Sequence, residues 1–278
     1  MEAPRMQFGV MFANAGPLTR PGPLEALART ADEVGFESLW TVEQVVAAAS
    51  EPATVPISDP LLPLAYAAAI TKRIRLGTGV LILPQHLPLQ VAKAAATLDV
   101  LSNGRALLGV GIGWVDQEFE ALGVAGKERA ARIGEAILAI RAAWQEPPQD
   151  FEGKFYRWRG VASSPKPVQR PGVPIIVGGL AEGGARRAAL YGDGFFPAGD
   201  DPGDIAFLIG EMHAECRRVG RDPSEIELTA AAGVHDLDHI HRLQDLGISR
   251  VMIAPPAFDE VSLRRGLTEF AERVMAKV

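Results

Sequence analysis

A small set of residues in this 278-residue chain has types and spacings that could do chemistry. The run Gly178-Gly179-Leu180-Ala181-Glu182-Gly183-Gly184 joins an apolar stretch to a helical one, which predicts free backbone N–H groups at a helix N-terminus. Such a turn binds anions, and Arg186 and Arg187 follow one turn later. Glu43 and Gln44 follow one apolar run and His86 follows another, so an acid, an amide and an imidazole are available; His86 is the only histidine near such an end. Trp114 closes the glycine-rich run Gly109-Val110-Gly111-Ile112-Gly113-Trp114, where it either stacks over a planar ligand or anchors the next helix by burial. Hydrolysis by a metal would need several His ligands. His235 and His239 are four apart around Asp236 and Asp238, but the H-E-x-x-H order is absent, so a solvated helix face is the better reading and no metal site is expected. There is no G-x-S-x-G elbow, and Cys216 lies mid-helix beside Arg217 and Arg218 as an inert cysteine.

The elements that must hold these residues follow from periodicity. Eight short apolar runs bounded by Gly, Pro, Asn and Asp alternate with helical segments: Gln7 to Phe12, Ser38 to Val42, Ile74 to Val80, Ala106 to Val110, Pro174 to Val177, Gly194 to Pro197, Glu227 to Ala231 and Arg250 to Ile253. Helices are expected over Pro23 to Val34, Pro60 to Thr71, Leu89 to Leu101, Glu128 to Trp144, Ala181 to Tyr191 and Asp204 to Val219. Asp59-Pro60 predicts a helix start, while Gly35, Asn103-Gly104 and Gly247 predict helix ends. Eight βα units in one chain of this length are the arithmetic of an α/β fold of the (β/α)8 TIM-barrel type. A Rossmann sheet is disfavoured because Trp114 stands where the third fingerprint glycine belongs. One domain over residues 1–278 is expected, with an insertion before strand five at about 147–173 that carries a small hairpin.

Composition narrows the partners. Basic residues number 28 against 34 acidic, a net charge of −6 without like-charge blocks, which argues against nucleic acid or an acidic membrane surface. One cysteine fits a reducing compartment, and neither a signal peptide nor a membrane span is recognisable, so a cytoplasmic protein acting on a small-molecule substrate is expected. In a barrel the site lies at the C-terminal strand ends. Those ends carry Asn14, Glu43-Gln44, Val80 to Gln85, Gly111 to Trp114, Gly178 to Leu180, Ala198 to Asp200, Gly233 and Ala254-Pro255-Pro256. The set is poor in acids and bases and rich in glycine, which suits a large planar cofactor better than hydrolysis.

Taken in order, further motifs resemble one family. These are Phe8-Gly9-Val10 with Asn14-Ala15-Gly16-Pro17, Gly35-Phe36-Glu37-Ser38-Leu39-Trp40, Thr71 to Val80, Leu83-Pro84-Gln85-His86, Ser102-Asn103-Gly104-Arg105, Glu118 to Gly123, and Pro165-Lys166-Pro167. Over residues 6 to 232 the chain resembles the bacterial luciferase-like monooxygenase superfamily, in particular its coenzyme F420-dependent oxidoreductase branch. The resemblance implies a (β/α)8 barrel with an insertion before strand five, a homodimer, and a cis peptide before a non-proline residue, here Gly79-Val80. It also implies a cofactor held by Asn14, Gly79, Val80, Gly111, Gly113, Gly178, Gly179 and Leu180, with Glu43, Gln44, His86 and Trp114 as the catalytic set. Gln44 stands where relatives often carry a proton-accepting His, and Trp114 where sugar-phosphate dehydrogenases of the family carry a glutamate; alcohol dehydrogenation and sugar-phosphate substrates are therefore disfavoured. The implied reaction is hydride transfer between coenzyme F420 and a small organic substrate. The alternatives are an FMN-dependent monooxygenase using reduced flavin and oxygen, and a non-catalytic relative that binds flavin or another ligand.

Overall fold

The computed structural model describes residues 5–47, 55–233 and 237–278. The first half runs β1 (Gln7–Val10), α1 (Pro21–Val34), β2 (Ser38–Thr41), α2 (Leu61–Ile70), β3 (Arg75–Thr78), β4 (Leu81–Ile82), α3 (Pro88–Ser102) and β5 (Ala106–Gly111). Next come α4 (Asp116–Ala121), α5 (Arg129–Trp144), the short pair β6 (Phe151–Glu152) and β7 (Arg157–Trp158), β8 (Ile175–Gly179), α6 (Glu182–Tyr191) and β9 (Gly194–Pro197). The last elements are α7 (Pro202–Val219), β10 (Glu227–Ala232), α8 (Leu237–Asp245), β11 (Arg250–Ile253) and α9 (Glu260–Arg273).

The strands pair in parallel in the order β1-β2-β3-β5-β8-β9-β10-β11, and β11 pairs back onto β1, which closes an eight-stranded barrel. The third barrel strand comes in two pieces. Its first part, β3, pairs with Ala106 and Leu107 of β5, and β4 resumes against Val110 and Gly111. Between them lies Gly79-Val80, whose peptide bond is cis as the resemblance implies. Strand one stops at Val10 instead of Phe12 because Phe12 turns into the left-handed region at φ 58°. Strand five runs on to Gly179, so Gly178 and Gly179 pair with Phe196 and Pro197 and lie inside β8 instead of in the turn after it.

Local signals explain most boundaries. Asp59 accepts hydrogen bonds from Leu61 N–H at 2.8 Å and Leu62 N–H at 2.9 Å, capping α2. Gly35, at φ 94°, and Asn103, at φ 57°, end α1 and α3 in the left-handed conformation. The insertion contains the expected hairpin: β6 and β7 pair antiparallel and Phe151 stacks on Trp158. Glu135 of α5 anchors it by accepting from Lys154, Phe155 and Tyr156 N–H.

Successive residues of a strand face opposite sides, so each barrel strand feeds two cores. The larger lies between strands and helices and includes Leu39, Leu76, Val110, Ile133, Ile137, Val177 and Val251. The smaller fills the barrel interior with Met11, Trp40, Leu107, Ile176, Phe196 and Met252. Glycines make room for its centre: a Cβ on Gly77 would lie 2.6 Å from the Trp40 ring, and one on Gly9 2.8 Å from its Nε1. The Trp40 N–H is satisfied by Ser38 Oγ at 2.7 Å.

Candidate functional site

Trp40 divides the interior into two ends. On the N-terminal side Arg250, with no exposed surface, lies 5.6 Å from the Trp40 ring. Its guanidinium donates to both oxygens of Glu37 at 2.7 and 2.9 Å, to Glu227 and to Thr229 Oγ1 at 3.1 Å. Burial pushes the Glu37 carboxyl up, but the charge and hydrogen bonds of Arg250 outweigh it and hold that carboxyl below its ordinary range. This end is fully paired.

The C-terminal end is built on small residues. Val80, Ala198 and Ala231 form a partly buried apolar floor above Phe196 and Met252. Val80 fits there because its neighbours lack side chains: a Cβ on Gly111 would meet Val80 Cγ2 at 2.6 Å, and one on Gly178 would meet Val80 Cγ1 at 2.7 Å. Gly79, Val80, Gly111 and Gly178 are thus brought together as expected. Gly179 serves packing, since a Cβ there would lie 2.7 Å from the Gly184 Cα across the β8–α6 turn. Gly113 holds a left-handed φ of 68° against Ile82 and Phe119.

Beside this floor, α6 begins. The N–H groups of Glu182 and Gly183 in its first turn have no acceptor among the described residues, as expected of a helix start. Arg186 is engaged by Glu182 at 2.8 Å and Glu211 at 3.7 Å. Arg187 differs. Its Nε is buried without a partner, its guanidinium occupies the space beside Gly183, where a Cβ would meet Nη1 at 3.2 Å, and burial pulls its pKa down. Leu180 stands 74% exposed at the lip. Next to it a cleft of about 410 Å³ opens between the ends of β8 and β9, lined by Leu180, Glu182, Ala198 and Asp200 among others.

On the other side of the mouth stands an acid–imidazole pair. Glu43, with only 3% of its side chain exposed, accepts from the Ile82 N–H through one oxygen and meets His86 Nε2 at 2.8 Å through the other. Gln44 is half-buried next to it. The Gln85 amide is buried with neither its nitrogen nor its oxygen hydrogen-bonded.

Asn14 lies just past β1, where it was expected. Its fully buried amide donates to Val42 and Ser58 carbonyls at 2.7 and 2.6 Å and accepts from Val42 N–H at 2.9 Å, tying together both ends of the loop after β2. Both of its N–H donors and one lone pair of its oxygen are used on backbone, so it positions that loop. Glu118 of α4, 1% exposed, holds the same loop by accepting from Val45 and Val46 N–H. Trp114 is 81% exposed, which removes the reading of a buried anchor. Glu118 and Trp40 stand within the motifs of the resemblance, but nothing in the sequence assigned either of them or Arg250 a role; the partners of Glu118 and Arg250 lie far away in the chain.

Among the described residues no group of three or more His, Cys, Asp or Glu side chains could hold a metal. His235 and Asp236 lie outside them, and His239 is on α8. No described helix is long and apolar enough to cross a membrane.

Comparison with known proteins agrees with this architecture. The F420-dependent glucose-6-phosphate dehydrogenase of Kineococcus radiotolerans is 35% identical over 215 residues, covering 75% of this chain and 62% of that protein. The 4-hydroxyprotoasukamycin monooxygenase of Streptomyces nodosus subsp. asukaensis is 29% identical over 292 residues, covering 97% and 77%. The solved structure of an F420-dependent secondary alcohol dehydrogenase in complex with an F420–acetone adduct superimposes with a TM-score of 0.81 at 19% identity, covering 98% of this chain and 99% of that one. With the family model described as luciferase-like monooxygenase matching residues 6–247, this chain belongs to the luciferase-like monooxygenase family.

Proposed function

We propose that this chain is an oxidoreductase that moves a hydride between coenzyme F420 and a small organic substrate at the C-terminal mouth of the barrel. The observation that carries the reading is the adjacency of two features on neighbouring strand ends. One is the apolar floor of Val80, Ala198 and Ala231; the other is the start of α6 with the unpaired Arg187. A planar ring system ending in a phosphate needs both. The floor takes the ring, while helix N–H groups and a cation take the anion.

The residues present fit such a group. Gly111 and Gly178 keep the floor low by clearing Val80, and the partnerless Arg187 Nε and Gln85 amide are buried polar groups of the kind that a bound molecule satisfies. When bound, a reduced deazaflavin supplies the hydride. Asn14 and Glu118 hold the described ends of the loop after β2, and the apolar floor excludes water from the reacting face.

Identity of 35% to an F420-dependent dehydrogenase favours the deazaflavin. A second reading, an FMN-dependent monooxygenase, is supported by the 97% coverage against the Streptomyces nodosus enzyme. Anaerobic fluorescence titrations with F420 and with FMN separate them. Tighter binding of F420 is expected; binding of FMN alone would replace the first reading by the second, and binding of neither would refute both.

A further inference from the structure

Position 44 is a glutamine, which cannot take or give a proton near neutral pH, yet a hydride acceptor such as a carbonyl or an activated alkene needs a proton as well. We infer that His86, held by Glu43, is the proton-transferring group of this site, with His86 as the catalytic residue and Glu43 as its positioning residue. The inference rests on the oxidoreductase reading above.

Three observations carry it. First, the Glu43 carboxylate is buried and fixed, one oxygen on the Ile82 N–H and the other on His86 Nε2 at 2.8 Å. A carboxylate accepts only, so Nε2 carries a proton and the neutral ring leaves the Nδ1 lone pair free. Second, Nδ1 is not spent on the protein. It has no partner, it is not among the buried orphan atoms, and the side chain is 32% exposed. Third, the pair bridges the C-terminal ends of β2 and β4, the strand piece that begins one residue after Val80 in the apolar floor. A carboxylate that orients an imidazole whose other nitrogen is left unspent is the general acid–base arrangement of many hydrolases, used here without a nucleophile.

The step balances as follows. In the reducing direction, hydride from the reduced deazaflavin forms a C–H bond at the electron-poor carbon of the substrate, and the π electron pair moves to the oxygen or carbon at the other end. That atom takes the proton from Nδ1 of the His86 imidazolium, which is left as the neutral Nε2–H ring beside Glu43. In the oxidising direction Nδ1 accepts the proton. Solvent reprotonates the exposed ring.

The test uses the full chain. Nitrogen-15 imidazole spectra, assigned with H86Q, are expected to show the neutral His86 ring protonated at Nε2, and E43Q to lose that preference. Carbethoxylation of His86 by diethylpyrocarbonate, followed by mass spectrometry, is expected to slow at least about fivefold when F420 is bound. With reduced F420 and 2-cyclohexenone, H86Q is expected to lose about 100-fold or more in kcat, with KM and F420 affinity within about threefold of the parent. E43Q is expected to lose about tenfold, with activity regained in E43D.

An Nδ1–H ring, carbethoxylation indifferent to bound F420, or H86Q turnover near that of the parent would each overturn the inference. Should 2-cyclohexenone not be turned over by the parent, protection of His86 by F420 decides. Failure of F420 and FMN to bind the parent would instead refute the functional reading, and the tautomer spectra would still decide the geometry of the pair.

Discussion

Arg250 and Val80 lie inside the same barrel on either side of Trp40, and their surroundings are opposite in kind. Arg250 meets two carboxylates and a hydroxyl, so every charge taken out of water there has a counter-charge at hydrogen-bond distance. Val80 meets glycines, and the polar groups around its end of the barrel include a guanidinium nitrogen and an amide without partners. Pairing closes the first end, while the second leaves room and unspent hydrogen bonds. A protein tolerates buried unsatisfied groups, worth about 1–3 kcal/mol each, mainly where a ligand will satisfy them. Paired charge is therefore concentrated at the bottom of the barrel and unspent polar groups at its mouth.

Substitutions at the two ends should separate these properties. Arg250→Met leaves Glu37 with only the longer 3.5 Å ion pair to Arg75 and takes the buried guanidinium from Glu227, so urea unfolding is expected to show a loss of about 3 kcal/mol, with F420 affinity of the folded fraction unchanged. The same contact sets an acid limit. The folded-state pKa of Glu37 lies below its unfolded value, so its contribution is complete above the ordinary carboxylate range and disappears as pH falls through the depressed value. Thermal melts of the parent should thus decline in acid, and Arg250→Met should show less dependence on pH in that window. An Arg250→Met protein of parental stability would erase the distinction between the two ends.

At the mouth the effects should fall on binding. Gly178→Val places methyl groups where Val80 Cγ1 already sits, and it is expected to cost about 1–3 kcal/mol of stability while abolishing cofactor binding in calorimetry. Arg187→Gln is expected to weaken FMN or F420 about tenfold and leave the melting temperature unchanged, because no ion pair is lost. It is a cleaner probe of the anion site than a charged residue at Gly179, where any side chain would strike the Gly184 backbone. The smallest effect is expected for Trp114→Ala: stability within about 0.5 kcal/mol, since the ring is 81% exposed, and any change confined to the KM of substrates.

Much of the scaffold was legible in the residues because its signals are local. Apolar runs of strand length, Asp59 before a helix, Gly35 and Asn103 after one, and the Pro- and aromatic-rich insertion each report on backbone a few residues away. Strand ends were less so. Gly178 and Gly179 read as a turn because glycine lacks strand propensity, but pairing with Phe196 and Pro197 draws them into the sheet. In the site, motif order located the Gly79-Val80 break and the glycines around it, whereas the bonds of the Asn14 amide to Val42 and Ser58 had no signal in the chain.

The sequence by itself determined the barrel and the family to which it belongs, since periodicity and motif order are properties of a chain read in one direction. Only the tertiary structure decided which groups are spent and which are free. Arg186 and Arg187 are adjacent and chemically identical, yet one faces Glu182 and Glu211 and the other has no partner. Glu43 and His86, 43 residues apart, become one hydrogen-bonded unit, and Arg250 closes on Glu37 across 213. Hydrogen bonds act over about 3 Å, and the distances at which they are made are set by how strands close into a barrel, which no spacing along the chain encodes.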